Sequence, residues 1–562
     1  MSHVVPERPL AARESFEQEA AAQTVAAAVA RAEPRSIAGA SRASCVALVV
    51  ALALGAVIRG WHTLGADFPL NDGGLFYVMV RDIQRAHYHI PAFTSYNGGQ
   101  IPFGYSPFTF YLAALLNDAT GVSLVTLFRV LPWAASTACV AAVYVLARSM
   151  VSSRAAAAAS AIAFAIIPRS FVWLIMGGGL TRSFGYLFAL LALHQVWMLY
   201  TRRTLRYVPL AAVFSALTVS SHLGTAPFVA FSAALFFVVR GRHRAGVVGS
   251  ILVGIGTLVL TAPWWAVVVA NHGIAPFIAA RATGGTILSD MPVHGGGIGA
   301  VGAIVQYALR ITGEGRFPVM LVLALVGVVW CVRERRLLVL PVWWVTILLL
   351  DARAGFTYAA APVAMLAALG AVNVIWPVLE PRAHVDRWRA LRPIGFVGAG
   401  AVLLASVVAS SSRSTRLNGD TNILTALTPA DRAAMEWMAL HTDSSARVLV
   451  LTDQPWQIDK VSEWFPVLAE RVSVATVQGS EWLPRGTFQE FIRRQSELGG
   501  CAGRDTACLA SLRTDSALVF THVYAPTGIA TRCCGPLVDA LRRDPGFQPL
   551  YTNEAAVIFA RR

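Results

Sequence analysis

The sequence predicts a mostly α-helical, polytopic membrane bundle of about eleven spans, followed by a C-terminal α/β domain. Three observations predict it. Of the 562 residues, 56% are hydrophobic and only 14% are charged, against roughly 25% charged in a soluble domain. The apolar residues fall in blocks near 43–60, 122–147, 155–170, 183–200, 207–221, 226–240, 246–270, 317–332, 337–351, 358–379 and 393–411. A span needs about 20 such residues, or as few as about 17 when short or tilted. After residue 411 the pattern changes to short strand-like and helical segments.

Taken in order, residues 1–42 are rich in alanine, glutamate and arginine and carry no apolar run near Met1. They are expected to form a cytoplasmic tail, disordered or loosely helical, and not a cleaved signal. The bundle, 43–411, includes spans with Pro168, Pro209 and Pro263, which neighbouring helices tolerate by resatisfying freed backbone groups. The net charge is +15 and Lys460 is the single lysine, so the cations are arginines. They concentrate in alternate connections: RSMVSSR (148–154), TRRTLR (201–206), RGRHR (240–244), RERR (333–336) and PRAHVDRWRALR (381–392). Positive loops stay cytoplasmic. The N-terminus is then inside, and the loops 61–121 and 271–316 and the tail 412–562 lie outside. Charge distributed this way reads as membrane orientation and gives no sign of nucleic-acid binding.

In the tail, TPADRAAMEWMALHT (428–442) predicts a helix with a threonine cap and proline at its first position. RVLVLTD (447–453), RVSVATV (471–477), ALVFTHV (517–523) and AAVIFAR (555–561) predict strands, with helices over 486–498 and 535–543. Cys45, Cys139 and Cys331 fall in spans, whereas Cys501, Cys508, Cys533 and Cys534 all fall in the exported tail. Disulfides persist there. The four are disulfide candidates, with Cys501–Cys508 one pairing among several; small buried thiols are the other reading.

Candidate chemistry sits at the outer edges of the spans. FPLNDGGLFYVMV (68–80) places Asp72 and two glycines just beyond the first span. Asp72 is either a cap for a helix starting near Gly73 or a general base at the membrane boundary. Asp67 offers the same chemistry, and Asp82 reads as a solvated helix residue. GQIPFGYSPFTFYLAALL (99–116), with Tyr105, is apolar, too short to span, and suited to lie along the interface. FVWLIMGGGLTRSFGYLF (171–188) sets three glycines before Arg182, a phosphate seat or a snorkelling arginine at a helix start. Asp351 and Arg353 stand at another outer edge, where a local ion pair is the alternative. His222 lies in a tight outer turn, a position that suits a structural role. The glycine-rich loop 271–316 reads as a substrate-covering segment or a spacer. Its Asp290, His294 and Glu314 are too scattered to form a metal site. No zinc CxxC pattern, HExxH, Walker loop or GxSxG elbow is present.

NDGGLF (71–76), FGYSPFTFYLAALL (103–116), MGGGLTRSF (176–184), SSHLG (220–224), APWW (262–265), DAR (351–353), EWFPVLAERVSV (463–474) and QGSEW (478–482) resemble bacterial membrane proteins of the GT-C glycosyltransferase superfamily. The resemblance covers most of the chain beyond residue 43. It implies transfer of a sugar from a polyprenyl-phosphate-linked donor to an external glycan, lipid or protein, in a bacterial cell membrane. It implies Asp72 as the catalytic acid of the first outer loop, with Arg182, Arg353 and His222 as candidates to hold the lipid phosphate. Asp67, Asp351 and Tyr105 would support them. Many members carry a second acid, in some cases with a metal, in the next outer loop; residues 171–182 contain no Asp or Glu. No cofactor is certain from this; a divalent metal stays open but lacks the support of a second outer-loop acid. The WWDYG-like signature of oligosaccharyltransferases is absent, and EWFP at 463–466 is not its equivalent. Two other classes fit a chain of this build: a transporter or flippase for a lipid-linked glycan, which would need polar residues deep in the spans, and a non-catalytic envelope scaffold.

Overall fold

The structure, a computed structural model, describes residues 44–151, 153–283, 311–314, 318–351, 354–379, 416–417, 421–512, 518–528 and 533–562. The predicted span 393–411, the connection 381–392, Arg353, Asp290 and His294 lie outside them.

Among the described residues, six helices are long and apolar enough to cross a membrane. They are α1 (Ser44–Thr63), α4 (Leu124–Met150), α6 (Gly179–Arg202), α8 (Leu223–Gly241), α9 (Arg244–His272) and α13 (Gly355–Val378). Four apolar helices are shorter: α5 (Arg154–Ile166), α7 (Leu205–Ser221), α11 (Val319–Arg333) and α12 (Val339–Leu350). The other α-helices among the described residues before α11 are α2 (Gly74–Arg85), α3 (Phe108–Thr120) and α10 (Ala275–Ala282). Helix α9 lies at the periphery: Ile251, Ile255, Leu258 and Val259 are all more than half exposed, as side chains facing lipid would be. The centre is α13, in which every residue from Gly355 to Gly370 except Phe356 is buried. It crosses α11 at glycines. A Cβ on Gly327 would lie 2.0 Å from the Leu366 carbonyl oxygen, and one on Gly370 would lie 2.3 Å from that of Leu323. Small residues of this kind let membrane helices meet backbone to backbone.

The C-terminal region holds a five-stranded sheet of β1 (Arg447–Val450), β2 (Val472–Ser473), β3 (His522–Pro526), β4 (Phe547–Thr552) and β5 (Ala556–Arg561). The spatial order is β2-β1-β3-β5-β4, with β1 parallel to β2 and β3, and β5 antiparallel to β3 and β4. Its helices are α14 (Pro429–His441), α15 (Lys460–Leu468), α16 (Thr487–Cys501), α17 (Thr506–Leu512) and α18 (Gly535–Arg543). The predicted threonine cap is a full capping box, Thr428 bonding the Asp431 amide and Asp431 returning to Thr428. Three strand expectations need correction. The ladder of β3 begins at His522, five residues after the predicted start. Phe547–Thr552 is a strand that the sequence did not suggest, because its burial does not alternate. β2 is only two residues long, and its outer edge is taken by a side chain.

That side chain belongs to the long first loop. Asn97 has φ 46 and ψ 50, a left-handed conformation that asparagine adopts more readily than most residues. Its Nδ2 donates to the Ser473 carbonyl at 3.0 Å, and its Oδ1 accepts from the Ser473 amide at 2.8 Å. Asn97 thus occupies the place of a further strand residue and ties the loop to the sheet. Asp82, expected to be solvated, is 6% exposed. It accepts from Thr94 Oγ1 at 2.7 Å and from the Ser95 amide at 2.8 Å, folding the loop back onto α2. Asn97→Ala leaves the buried Ser473 amide unpaired, at a cost of about 1–3 kcal/mol. Thermal unfolding of the solubilised protein should begin at a lower temperature in that variant; an unchanged transition would show that the loop–sheet tie contributes nothing.

Candidate active site

The Asn71–Asp72–Gly73–Gly74 turn is gripped from two sides. From the bundle, the Gly177 amide donates to the Leu70 carbonyl at 2.8 Å. From the C-terminal region, the Asn71 amide donates to Thr425 O at 3.1 Å, and Trp464 Nε1 donates to the Asn71 carbonyl at 3.1 Å. The glycines follow from this crowding. A Cβ on Gly177 would come within 1.9 Å of the Asp72 carbonyl oxygen, and one on Gly74 within 2.7 Å of the Glu463 carbonyl oxygen. Gly73 also holds φ +119. The glycines at this contact therefore serve close backbone approach.

The Asp72 carboxylate is held at the start of α6. Oδ1 accepts from the Gly178 amide at 2.8 Å, and Oδ2 accepts from Arg182 Nη2 at 2.8 Å. An anion here satisfies an otherwise unpaired amide and meets the positive end of the helix dipole. So Asp72 is a cap, but of α6 and not of α2. Arg182 is steadied by Nε donating to the Trp173 carbonyl at 2.9 Å, with its guanidinium 5.8 Å from the Trp173 ring centroid. The pair remains reachable: the side chains are 14% and 24% exposed for Asp72 and Arg182. The sequence offered these two as separate base and phosphate anchor; the structure joins them.

A second acid stands behind the turn. Glu463, on α15, accepts from the Gly73 amide at 2.8 Å through Oε1 and is only 5% exposed. Its backbone carbonyl accepts from the buried Tyr96 hydroxyl at 2.7 Å. Burial, reinforced by the charge of Asp72, pushes the Glu463 carboxyl up to about 8. Burial and a like charge both favour the protonated form of Glu463. A second carboxyl group thus reaches the turn from 390 positions along the chain. The sequence signal was a glutamate in an apolar aromatic run, EWF (463–465), in a tail expected to be water-facing.

The other candidates take other places. Tyr105 donates to Glu481, and its ring packs 5.0 Å from Phe76 and 4.8 Å from Trp482. From there the rings continue through Phe277 to Trp264 at 6.1 and 5.6 Å. Along this wall Trp482 Nε1, Trp264 Nε1 and Glu481 Oε2 are buried and have no hydrogen-bond partner among the described residues; the same holds for Gln478 Oε1 nearby in sequence. Asp67 pairs with Arg432 at 2.5 Å on the surface, a bond that lowers its pKa. His222 Nδ1 lies 2.8 Å from Thr225 Oγ1, which is 2.8 Å from the Tyr358 hydroxyl. Asp351 Oδ1 accepts from the Ala354 amide at 2.8 Å, closing the turn into α13. Glu314 accepts from the Met320 amide at 2.9 Å and from the Leu321 amide at 3.2 Å, at the start of α11. Disulfides join Cys501 to Cys508 and Cys533 to Cys534. Among the described residues no group of three or more His, Cys, Asp or Glu is placed to hold a metal.

Arg59, fully buried near the end of α1, escaped the sequence reading because it directly ends the apolar run. It donates to Ser136 Oγ at 3.0 Å, the Ala165 carbonyl at 2.9 Å and Ser170 Oγ at 3.0 Å. Its guanidinium lies 4.9 Å from the Phe171 ring centroid. A cation inside a bundle is tolerable only when fully hydrogen-bonded. These bonds pin the segment that runs from Ser170 to Gly178 over the end of the bundle.

No family model matches the chain, and no curated protein matches it in sequence. Solved structures do resemble it. The Archaeoglobus fulgidus oligosaccharyltransferase in its apo form gives a TM-score of 0.55 at 14% identity, over 86% of this chain and 69% of that one. ArnT from Cupriavidus metallidurans in the apo state gives 0.52 at 14% identity, over 93% and 98%; its undecaprenyl-phosphate-bound form gives 0.47 at 14%, over 94% and 98%. At such low identity the likeness is one of fold alone: the chain shares its fold with the oligosaccharyltransferase and with apo ArnT.

Proposed function

We propose that this protein is a GT-C-type glycosyltransferase that moves a sugar from a polyprenyl-phosphate-linked donor to a hydroxyl acceptor on the outer face of a bacterial cell membrane. The observation that carries the reading is the Asp72–Arg182 pair at the start of α6, with Glu463 buried behind it. In this reading the four shorter apolar helices and the 393–411 block also cross, giving about eleven spans. The arginine-rich connections then face the cytoplasm.

The chemistry runs as follows. Arg182 Nη2 binds Asp72 and Nε binds Trp173 O, which leaves guanidinium donors for a phosphate oxygen. A phosphate seated there shares the guanidinium and adds negative charge beside Asp72, which makes that carboxylate more basic. The acceptor oxygen attacks the anomeric carbon as the bond from that carbon to the phosphate oxygen breaks. Asp72 takes the acceptor proton, and the lipid phosphate leaves with its charge against Arg182. Glu463, kept neutral, spares the anionic donor a second carboxylate. The unpaired polar atoms of Glu481, Trp482, Trp264 and Gln478, set among rings, suit sugar hydroxyls and a sugar face.

Asp72→Asn should lower transfer of labelled sugar from polyprenyl-phosphate donors by about a hundredfold or more, while the variant still purifies as a monodisperse membrane protein. Normal transfer by that variant removes Asp72 from the mechanism. The pH dependence of stability offers an independent check. Glu463 binds its proton more tightly folded than unfolded, so its contribution is complete below about 4.5 and is lost as pH rises towards about 8. Wild type should therefore lose stability across pH 5–8, and Glu463→Gln should lose less. Parallel profiles would mean that Glu463 is already ionised at neutral pH.

A further inference from the structure

A groove of about 500 Å³ opens at the other end of the bundle. It is lined by Tyr144, Val145, Arg148 and Ser149 of α4 and by His194, Met198, Thr201 and Arg202 of α6. Both sets follow helical spacing, so each is one face of its helix. Asp72 caps the first turn of α6, whereas Arg202 is its last residue. A 24-residue helix is about 36 Å long at 1.5 Å per residue. The groove and the candidate active site therefore lie at opposite membrane surfaces.

We infer that this groove binds the phosphate of an anionic phospholipid from the leaflet opposite the active site. The volume falls within the roughly 300–1,000 Å³ of small-molecule sites. Two guanidiniums share the groove, and among the described residues neither is paired with a carboxylate. Their positions at the C-terminal ends of α4 and α6 favour cations through the helix dipoles. That accounts for the presence of arginine, but not for a concave site between the two. Arginines forking onto one phosphate give the strongest charge-assisted bonds available to it.

The wall is graded as a lipid would require. Arg148 and Arg202 stand at the helix ends, while Val145 and Met198 lie about one turn deeper in the bundle, and Val145 is 37% exposed. A phosphate at arginine level therefore has an apolar surface below it for its acyl chains. The polar groups of the groove are already oriented. Ser149 Oγ donates to the Leu146 carbonyl at 2.7 Å, so the 3.3 Å contact with His194 Nδ1 is a donation from the imidazole. His194 Nε2 then remains an acceptor for a headgroup hydroxyl. Tyr144 is bonded to Ser44 Oγ at 2.7 Å, which brings the start of α1 to the same wall.

The test is native mass spectrometry of the detergent-solubilised full chain with dioctanoyl phosphatidylglycerol, dioctanoyl phosphatidylcholine or inorganic phosphate. Wild type should retain phosphatidylglycerol over phosphatidylcholine. The double variant Arg148→Gln/Arg202→Gln should bind it about tenfold more weakly or worse, for the loss of two charge-assisted contacts. Arg240→Gln/Arg244→Gln alters arginines at the same end but outside the groove, and should bind like wild type. Equal binding by the groove variant, an equal loss in the control variant, or binding of inorganic phosphate without phosphatidylglycerol would each overturn the inference. Thermal unfolding of both variants separates lost binding from lost fold.

Discussion

The bond from the Gly178 amide to the Asp72 carboxylate demands an approach of two backbones that only glycine allows. At Gly177 the missing Cβ would sit 1.9 Å from the Asp72 carbonyl oxygen, and at Gly178 it would sit 2.5 Å from Oδ2. Once that contact is made, much of the membrane-surface structure is determined. Helix α6 must begin there, Arg182 is carried one turn along to meet the same carboxylate, and the segment anchored by Arg59 must arch over the bundle end. Gly73 and Gly74 then admit α15 from the other side, so the C-terminal region docks on the turn through Glu463 and Trp464.

The electrostatics of the site follow from its asymmetry. Asp72 faces a guanidinium, a helix N-terminus and a partly open surface, all of which support its charge. Glu463 sits in a buried setting beside Asp72's own charge, and burial favours its protonated form although the Gly73 and Leu75 amides oppose this. One acid is paired with a guanidinium at a partly open surface and the other is buried, and environment alone separates them. In the proposed site for an anionic lipid this division matters, because each ionised carboxylate would work against a phosphate held at Arg182. Arg59, by contrast, does not reach the site and acts by holding the overlying segment in place.

The helical bundle was legible because a membrane span is a long, one-dimensional signal: every block before residue 380 corresponds to an apolar helix. The turn chemistry was partly legible. NDGG and MGGG each stood out, but nothing local in either says that they touch, since they are about a hundred residues apart. Asp82 was misread because it lies between an arginine and apolar residues on a helix, while its partners Thr94 and Ser95 fold back from a loop. Glu463 was missed for the same physical reason. Its role depends on Gly73, 390 positions earlier, and short-range pattern carries no record of that distance. The start of β3 was misplaced because the apolar stretch preceding His522 resembles a strand, yet the ladder to β1 forms only from His522 onward.

The central claim is that Arg182 receives a lipid phosphate beside Asp72. Its most direct test is donor-lipid binding measured by native mass spectrometry on the purified protein, comparing wild type with Arg182→Ala and Arg182→Lys. Wild type should retain a polyprenyl-phosphate sugar and Arg182→Ala should lose it. Arg182→Lys should bind more weakly than wild type, because lysine keeps the charge but not the planar fork. Retention of the lipid by Arg182→Ala at the wild-type level would contradict the account and leave the Asp72–Arg182 pair as a helix cap at a membrane edge.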